Sequence, residues 1–126
     1  MVRINEELSI SDHVLNVTDK IYDIIMSQPE NRRHVLRNFD FISRLDITID
    51  QVFYENGGAT GRSNGDTATL DSNNLLVCAM EIEANFRKDL YNNLDSEMNY
   101  VKSTIQHEVE HLYQAYRKLI NQQHTC

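Results

Sequence analysis

The sequence predicts an α+β fold: N-terminal helices, a small antiparallel sheet, and a long C-terminal helix. Three patterns predict it. Apolar residues recur at helical spacing near both ends, and in the middle they switch to strict alternation. All four glycines, Gly57, Gly58, Gly61 and Gly65, fall in one stretch, so backbone freedom is concentrated there. No repeat, low-complexity tract or linker divides the chain, and its 126 residues suit a single domain.

Taken in order, Ser11 to Met26 reads as an amphipathic helix. Val14, Val17, Ile21, Ile24 and Ile25 share a face, and Ser11 or Asp12 caps the start. Pro29 interrupts it, because proline disfavours helical geometry in the residue before it. A second helical piece is expected over residues 30–38, where Arg32, Arg33, His34 and Arg37 form a solvated basic face. Leu45, Ile47 and Ile49 alternate with Asp46, Thr48 and Asp50 as a half-buried strand. Val52, Phe53 and Tyr54 continue it after a phase slip at Gln51 that suggests a bulge. Residues 56–66 read as a mobile loop. Thr67 to Leu70 and Leu75 to Ala84 then read as strands joined by the turn-forming Asp71-Ser72-Asn73-Asn74. On the second strand Glu81 and Glu83 fall on the polar side, with Asp46 and Asp50 on the polar side of the first, all as solvated charges. From Leu94 onward Met98, Val101, Ile105, Val109, Leu112, Tyr116 and Leu119 hold to one helical face, with Asp95 or Ser96 as N-cap.

Charge narrows the function. Twelve Lys and Arg against 19 Asp and Glu give a net charge of −7. That argues against nucleic acid and against anionic membrane surfaces, which need clustered cations. Two cysteines, Cys78 and Cys126, make no disulfide scaffold. No stretch approaches eighteen apolar residues, and the first residues lack a signal-peptide layout. The expectation is an intracellular protein, cytoplasmic or viral.

Inside the last helix lies His107-Glu108-Val109-Glu110-His111, an H-E-x-x-H. Residues four apart lie one turn apart on one face, so both imidazoles reach a single tetrahedral Zn²⁺. Glu108 projects beside the metal, placed to take a proton from water and pass it to a leaving amine. With Leu94 set at zero on the helical wheel, the apolar arc centres near about 20°. His107 and His111 then fall near about 220° and 260°, and Glu108 near about 320°. One face packs and another presents metal. Tyr100 and Thr104 share the histidine face, and Tyr100 or Tyr113 is a candidate stabiliser of a developing oxyanion.

Strand, turn, strand and then a helix bearing Gln106-His107-Glu108-Val109-Glu110-His111-Leu112 resembles the core of a zincin-type metallopeptidase. The motif is also similar to the last motif of peptide deformylases, Q-H-E-x-D-H-L, with Glu110 at the aspartate position. By resemblance, 1–126 is a single zincin-like domain. The strand Leu75–Ala84 would then be an edge strand that pairs with an extended peptide or protein substrate. The pattern departs from the families at the third ligand. Metzincins place Gly at 114 and His at 117, where this chain has Gln114 and Arg117. No Asp or Glu follows Glu110, so the downstream carboxylate of gluzincins and aspzincins is missing. Deformylases take a cysteine from a Gly-Cys-Leu-Ser-like segment, and Cys78 sits in Leu76-Val77-Cys78-Ala79-Met80 without that glycine or serine.

Cys78 is the leading candidate for third ligand, as a thiolate, if its strand passes the helix. His124 is the next, provided the helix ends early enough for the chain to return; His13, His34 or a residue from another chain complete the candidates. The sequence therefore predicts a small zinc-dependent, peptidase-like hydrolase. Its metal residues are His107, His111 and Cys78, its general base is Glu108, and its cofactor is Zn²⁺. With no acidic residue after His111, the chain is either a minimal zincin with an unusual third ligand or part of a longer one. The alternative is a non-catalytic structural or interaction protein, such as a viral or accessory subunit, in which the motif is incidental or degenerate.

Overall fold

A computed structural model describes the backbone of residues 10–27, 32–54, 58–87 and 90–124, and the side chains of 10–27, 33–50, 60–83 and 101–123. Helix α1 (Asp12–Ser27) forms where the apolar spacing places it. The Ser11 hydroxyl oxygen caps it by accepting the Val14 amide at 3.2 Å. Val14, Val17, Ile21 and Ile25 make its buried face.

The next segment departs from expectation. Residues 32–39 are strand β1 (Arg32–Phe39), not a helix. A short charged run has little helical stability of its own, and pairing with the β-branched run that follows overrides its propensity. Strand β2 (Ile42–Tyr54) runs antiparallel to β1, with Leu36 opposite Leu45 and His34 opposite Ile47. The hairpin closes through Asp40 and Phe41, with Asp40 in left-handed geometry (φ 51°), which aspartate tolerates better than most residues. Its carboxylate is held by His13 and by the Asn16 amide at 3.1 Å, tying α1 to the turn.

No bulge appears at Gln51. The register of β2 holds from Arg44 to Tyr54, and the irregularity lies between Ile42 and Arg44. That shift lets Ile42 and Leu45, an odd number of residues apart, both point into the core.

The expected loop over 56–66 is replaced, within the described residues, by strand β3 (Gly58–Ser63), followed by the two-residue β4 (Thr69–Leu70) and then β5 (Leu76–Arg87). The turn before β5 is built on Asp71. Its Oδ1 accepts the Asn73 and Leu75 amides at 2.9 and 3.0 Å, and Asn74 adopts φ 62°.

The sheet is mixed rather than antiparallel. Its order is β1-β2-β5-β3, with β2 and β5 parallel, β3 antiparallel to β5, and β4 pairing with the start of β5. The strand Leu75–Ala84 is therefore no edge strand: β5 is bordered by β2 and β3, and β3 holds the outer position.

Helix α2 (Leu90–His124) closes the chain. It starts before the expected caps, so Asp95 and Ser96 lie inside it. Its Val101, Ile105, Val109 and Leu112 are fully buried against the same sheet face that presents Leu45, Ile47, Ile49, Leu76, Met80 and Ile82. Both helices thus cover one face, and Lys102 of α2 meets Asp19 of α1 at 2.9 Å. The opposite face is polar. Arg44 pairs there with Asp46, and Arg62 with Glu81, each at 3.2 Å. A sheet that is polar on one face and apolar on the other is a two-layer α+β architecture. Among the described residues no helix is long and apolar enough to cross a membrane.

The Ser43 side chain and the Leu75 and Asn73 amides hold the Asp71 carboxyl below its ordinary range. A depressed carboxylate contributes stability above its unfolded titration range and loses that contribution as pH falls through its folded value. Asp71→Ala is expected to lower the melting temperature at neutral pH and to leave a shallower loss of stability under acid. Thermal melts across pH 2–7 check this (roughly spanning the carboxylate range).

Candidate functional site

The buried stripe of α2 fixes how the rest of that helix faces. With Val101, Ile105, Val109 and Leu112 turned inward, His107 and His111 project outward one turn apart, and both are exposed. Their Nε2 atoms converge to 3.1 Å, and the rings stand edge to face at 89°. Two imidazole nitrogens on one tetrahedral Zn²⁺, each at about 2.0–2.1 Å, lie about 3.3 Å apart. The pair is therefore spaced as two metal ligands are. The same separation is within hydrogen-bond distance between the two rings.

Glu108 is 7% exposed, enclosed between α2 and the outer strand β3. Gly61 makes that approach possible. A Cβ on Gly61 would lie 2.9 Å from Glu108 Cγ, 2.9 Å from Ile82 Cδ1 and 3.1 Å from Thr104 Cγ2. The two at 2.9 Å are separations that packed carbons do not tolerate, and the third is tight. Here glycine serves space rather than a left-handed turn.

Along this seam run two clefts that meet at Gly61 and Glu108. One, of about 410 Å³, holds Thr60, Ser103, Thr104 and His107. The other, of about 740 Å³, opens past His111 toward Gly65, Asp66, Gln114 and Lys118. His107 thus faces one lobe, His111 the other, and Glu108 both.

The expected third ligands do not join the pair. Cys78 lies on the inner face of β5 opposite Leu45, 4% exposed. Burial, with a smaller contribution from the negative charge of Asp46, pushes its thiol up to about 12, so it packs as a neutral hydrophobe. Among the described residues no three His, Cys, Asp or Glu side chains are grouped as metal ligands. His13 stacks on Tyr113 and pairs with Asp40. His34 sits on β1, with β2 and β5 between it and β3. Helix α2 continues through to His124, which carries that residue about 20 Å along the axis from His111. Tyr113 turns toward Phe41 and His13, away from the histidine pair. The side chain of Tyr100 lies outside the described residues.

Gly61 and Lys118 are site residues that sequence reasoning passed over. The glycine cluster was the available signal for the first, since a glycine can mark close backbone approach as well as flexibility. For an isolated exposed lysine no such signal exists. Compared with known proteins, the chain matches no protein family, no curated sequence and no solved structure.

Two outcomes follow from this packing. Gly61→Ala is expected to destabilise the fold by about 1–3 kcal/mol through overpacking, with part recovered by adding Ile82→Val; chemical denaturation of the single and double variants checks it. In a Cys126→Ser background, Cys78 is expected to resist a thiol reagent at neutral pH until denaturant is added, which an absorbance assay reads directly.

Proposed function

We propose that this chain is a zinc-dependent hydrolase, peptidase-like, acting on the amide bond of an extended peptide. The observation that carries the proposal is the convergence of the His107 and His111 Nε2 atoms to 3.1 Å beside a Glu108 held against the outer strand. The order of elements, strands and then the helix with H-E-x-x-H, is that of the resemblance. It departs from the resemblance in one respect: the strand before the helix, β5, is an inner strand, so β3 rather than Leu75–Ala84 is the outer strand along which a peptide would lie.

His107 and His111 would hold the metal through Nε2. Bound there, Zn²⁺ would supply a Lewis acid that polarises a carbonyl and acidifies water. Glu108 accepts the proton of the attacking water and returns it to the leaving nitrogen, a role that needs a carboxylate fixed beside the scissile bond. The close approach of Gly61 packs the stem of that side chain.

One observation favours the second reading, a non-catalytic interaction protein: no third ligand joins the pair among the described residues. Metal analysis of untagged protein separates the two. About one zinc per chain is expected, lost in His107→Ala and in His111→Ala, because each removes one of the two imidazole ligands the site offers. Glu108→Gln should keep the zinc and lose about 10²–10⁴-fold in peptide hydrolysis. Protein free of zinc under these conditions contradicts the proposal, and unchanged turnover in Glu108→Gln removes Glu108 from the chemistry.

A further inference from the structure

The two lobes that meet at Glu108 are unlike. The His107 lobe is walled by the hydroxyl residues Thr60, Ser103 and Thr104. The His111 lobe is nearly twice as large and mainly polar, with Ala68, Ala115 and the partly buried Leu119 as apolar patches in its wall. Its charges are ordered along the helix. A Cβ on Gly65 would lie 3.5 Å from Ala115 Cβ and 3.7 Å from the His111 carbonyl, which sets the turn carrying Asp66 beside the first helical turn after His111. Lys118 follows on the helix wall. The other cation of this lobe, Arg62, directs its guanidinium across the sheet edge to Glu81 at 3.2 Å. Lys118 is thus the cation on the helix wall of the lobe, with Arg62 at the strand edge turned toward Glu81.

We infer that the site prefers extended peptides with a carboxylate on the His111 side, about three residues from the bond held at the histidine pair, received by Lys118. The inference rests on the hydrolase proposal for the position of that bond. Lys118 stands seven residues beyond His111, about 10.5 Å along the helix, and an extended chain covers that span in about three residues. A glutamate side chain suits the lobe best, its methylenes against Ala115 and Leu119 and its carboxylate at the ammonium. Asp66, nearer the histidines, disfavours an acid placed earlier.

The test uses fluorescein-labelled octapeptides of neutral residues with Glu, Gln or Lys at one scanned position. Binding to Glu108→Gln protein is read by anisotropy, and zinc content is measured on the same samples. The Glu peptide is expected to bind about three- to five-fold tighter than its Gln counterpart. That margin should vanish in Lys118→Gln and turn to a preference for Lys in Lys118→Glu. On wild-type protein, product masses should place cleavage three residues from the Glu. Equal affinities, no peptide binding, a preference that Lys118→Glu leaves unmoved, or cleavage at another spacing each overturn the inference. Absence of zinc with the acid preference intact instead removes the hydrolase proposal and leaves Lys118 as the determinant of a binding groove.

Discussion

At Gly61 the outer strand of the sheet comes into direct contact with the long helix, and the geometry of the candidate site depends on that contact. Ile82 Cδ1 and Thr104 Cγ2 flank the place where a Cβ would sit, and Glu108 Cγ occupies the third side. A glutamate on an amphipathic helix, midway between the buried stripe and the exposed face, ordinarily swings into water. Here β3 closes over its stem, so Glu108 is 7% exposed while the neighbouring histidines remain open. Such confinement limits the rotamers open to the Glu108 side chain beside the two imidazoles. The same contact divides the seam into two lobes, one reached from each histidine.

The topology explains why β3 is available for this role. Strands β2 and β5 are parallel and central, so the connection between them has to run back to the end at which β2 began. The chain does so through β3, laid antiparallel on the far side of β5, and then through β4 and the Asp71 turn. Helix α2 follows directly and packs over β5 and β3. Its inner stripe meets Ile82 and Met80, and its next face rises over the outermost strand. Three facts in sequence order, an outer strand, its inner neighbour and a helix turned by its apolar stripe, bring His107, Glu108 and His111 to the rim of a cleft.

Much of this was legible in the residues, and the exceptions have physical causes. The wheel of α2 placed the two histidines off the apolar stripe and Glu108 at its border, because 35 residues of helix average out local irregularity. Strand β1 was read as helix, since Arg33, Val35 and Arg37 face water on one side of a hairpin and their alternation is hidden by charge. Parallel pairing of β2 with β5 left no trace, for neighbours distant in sequence are chosen by tertiary packing rather than by local pattern. Glycine at 61 was read as looseness when its function is room. Cys78 looked like a ligand by type, but its strand position turns it into the core, where burial keeps the thiol neutral.

A functional H-E-x-x-H and an incidental one differ in the set of atoms around bound zinc. X-ray absorption of the zinc-loaded protein reads that set directly. Imidazole nitrogens are expected at about 2.0–2.1 Å, contributed by His107 and His111, with a spectrum unaltered in Glu108→Gln and no scatterer at a thiolate's distance of about 2.3 Å. A sulfur shell at that distance, or a spectrum indifferent to loss of either histidine, would contradict the proposed site.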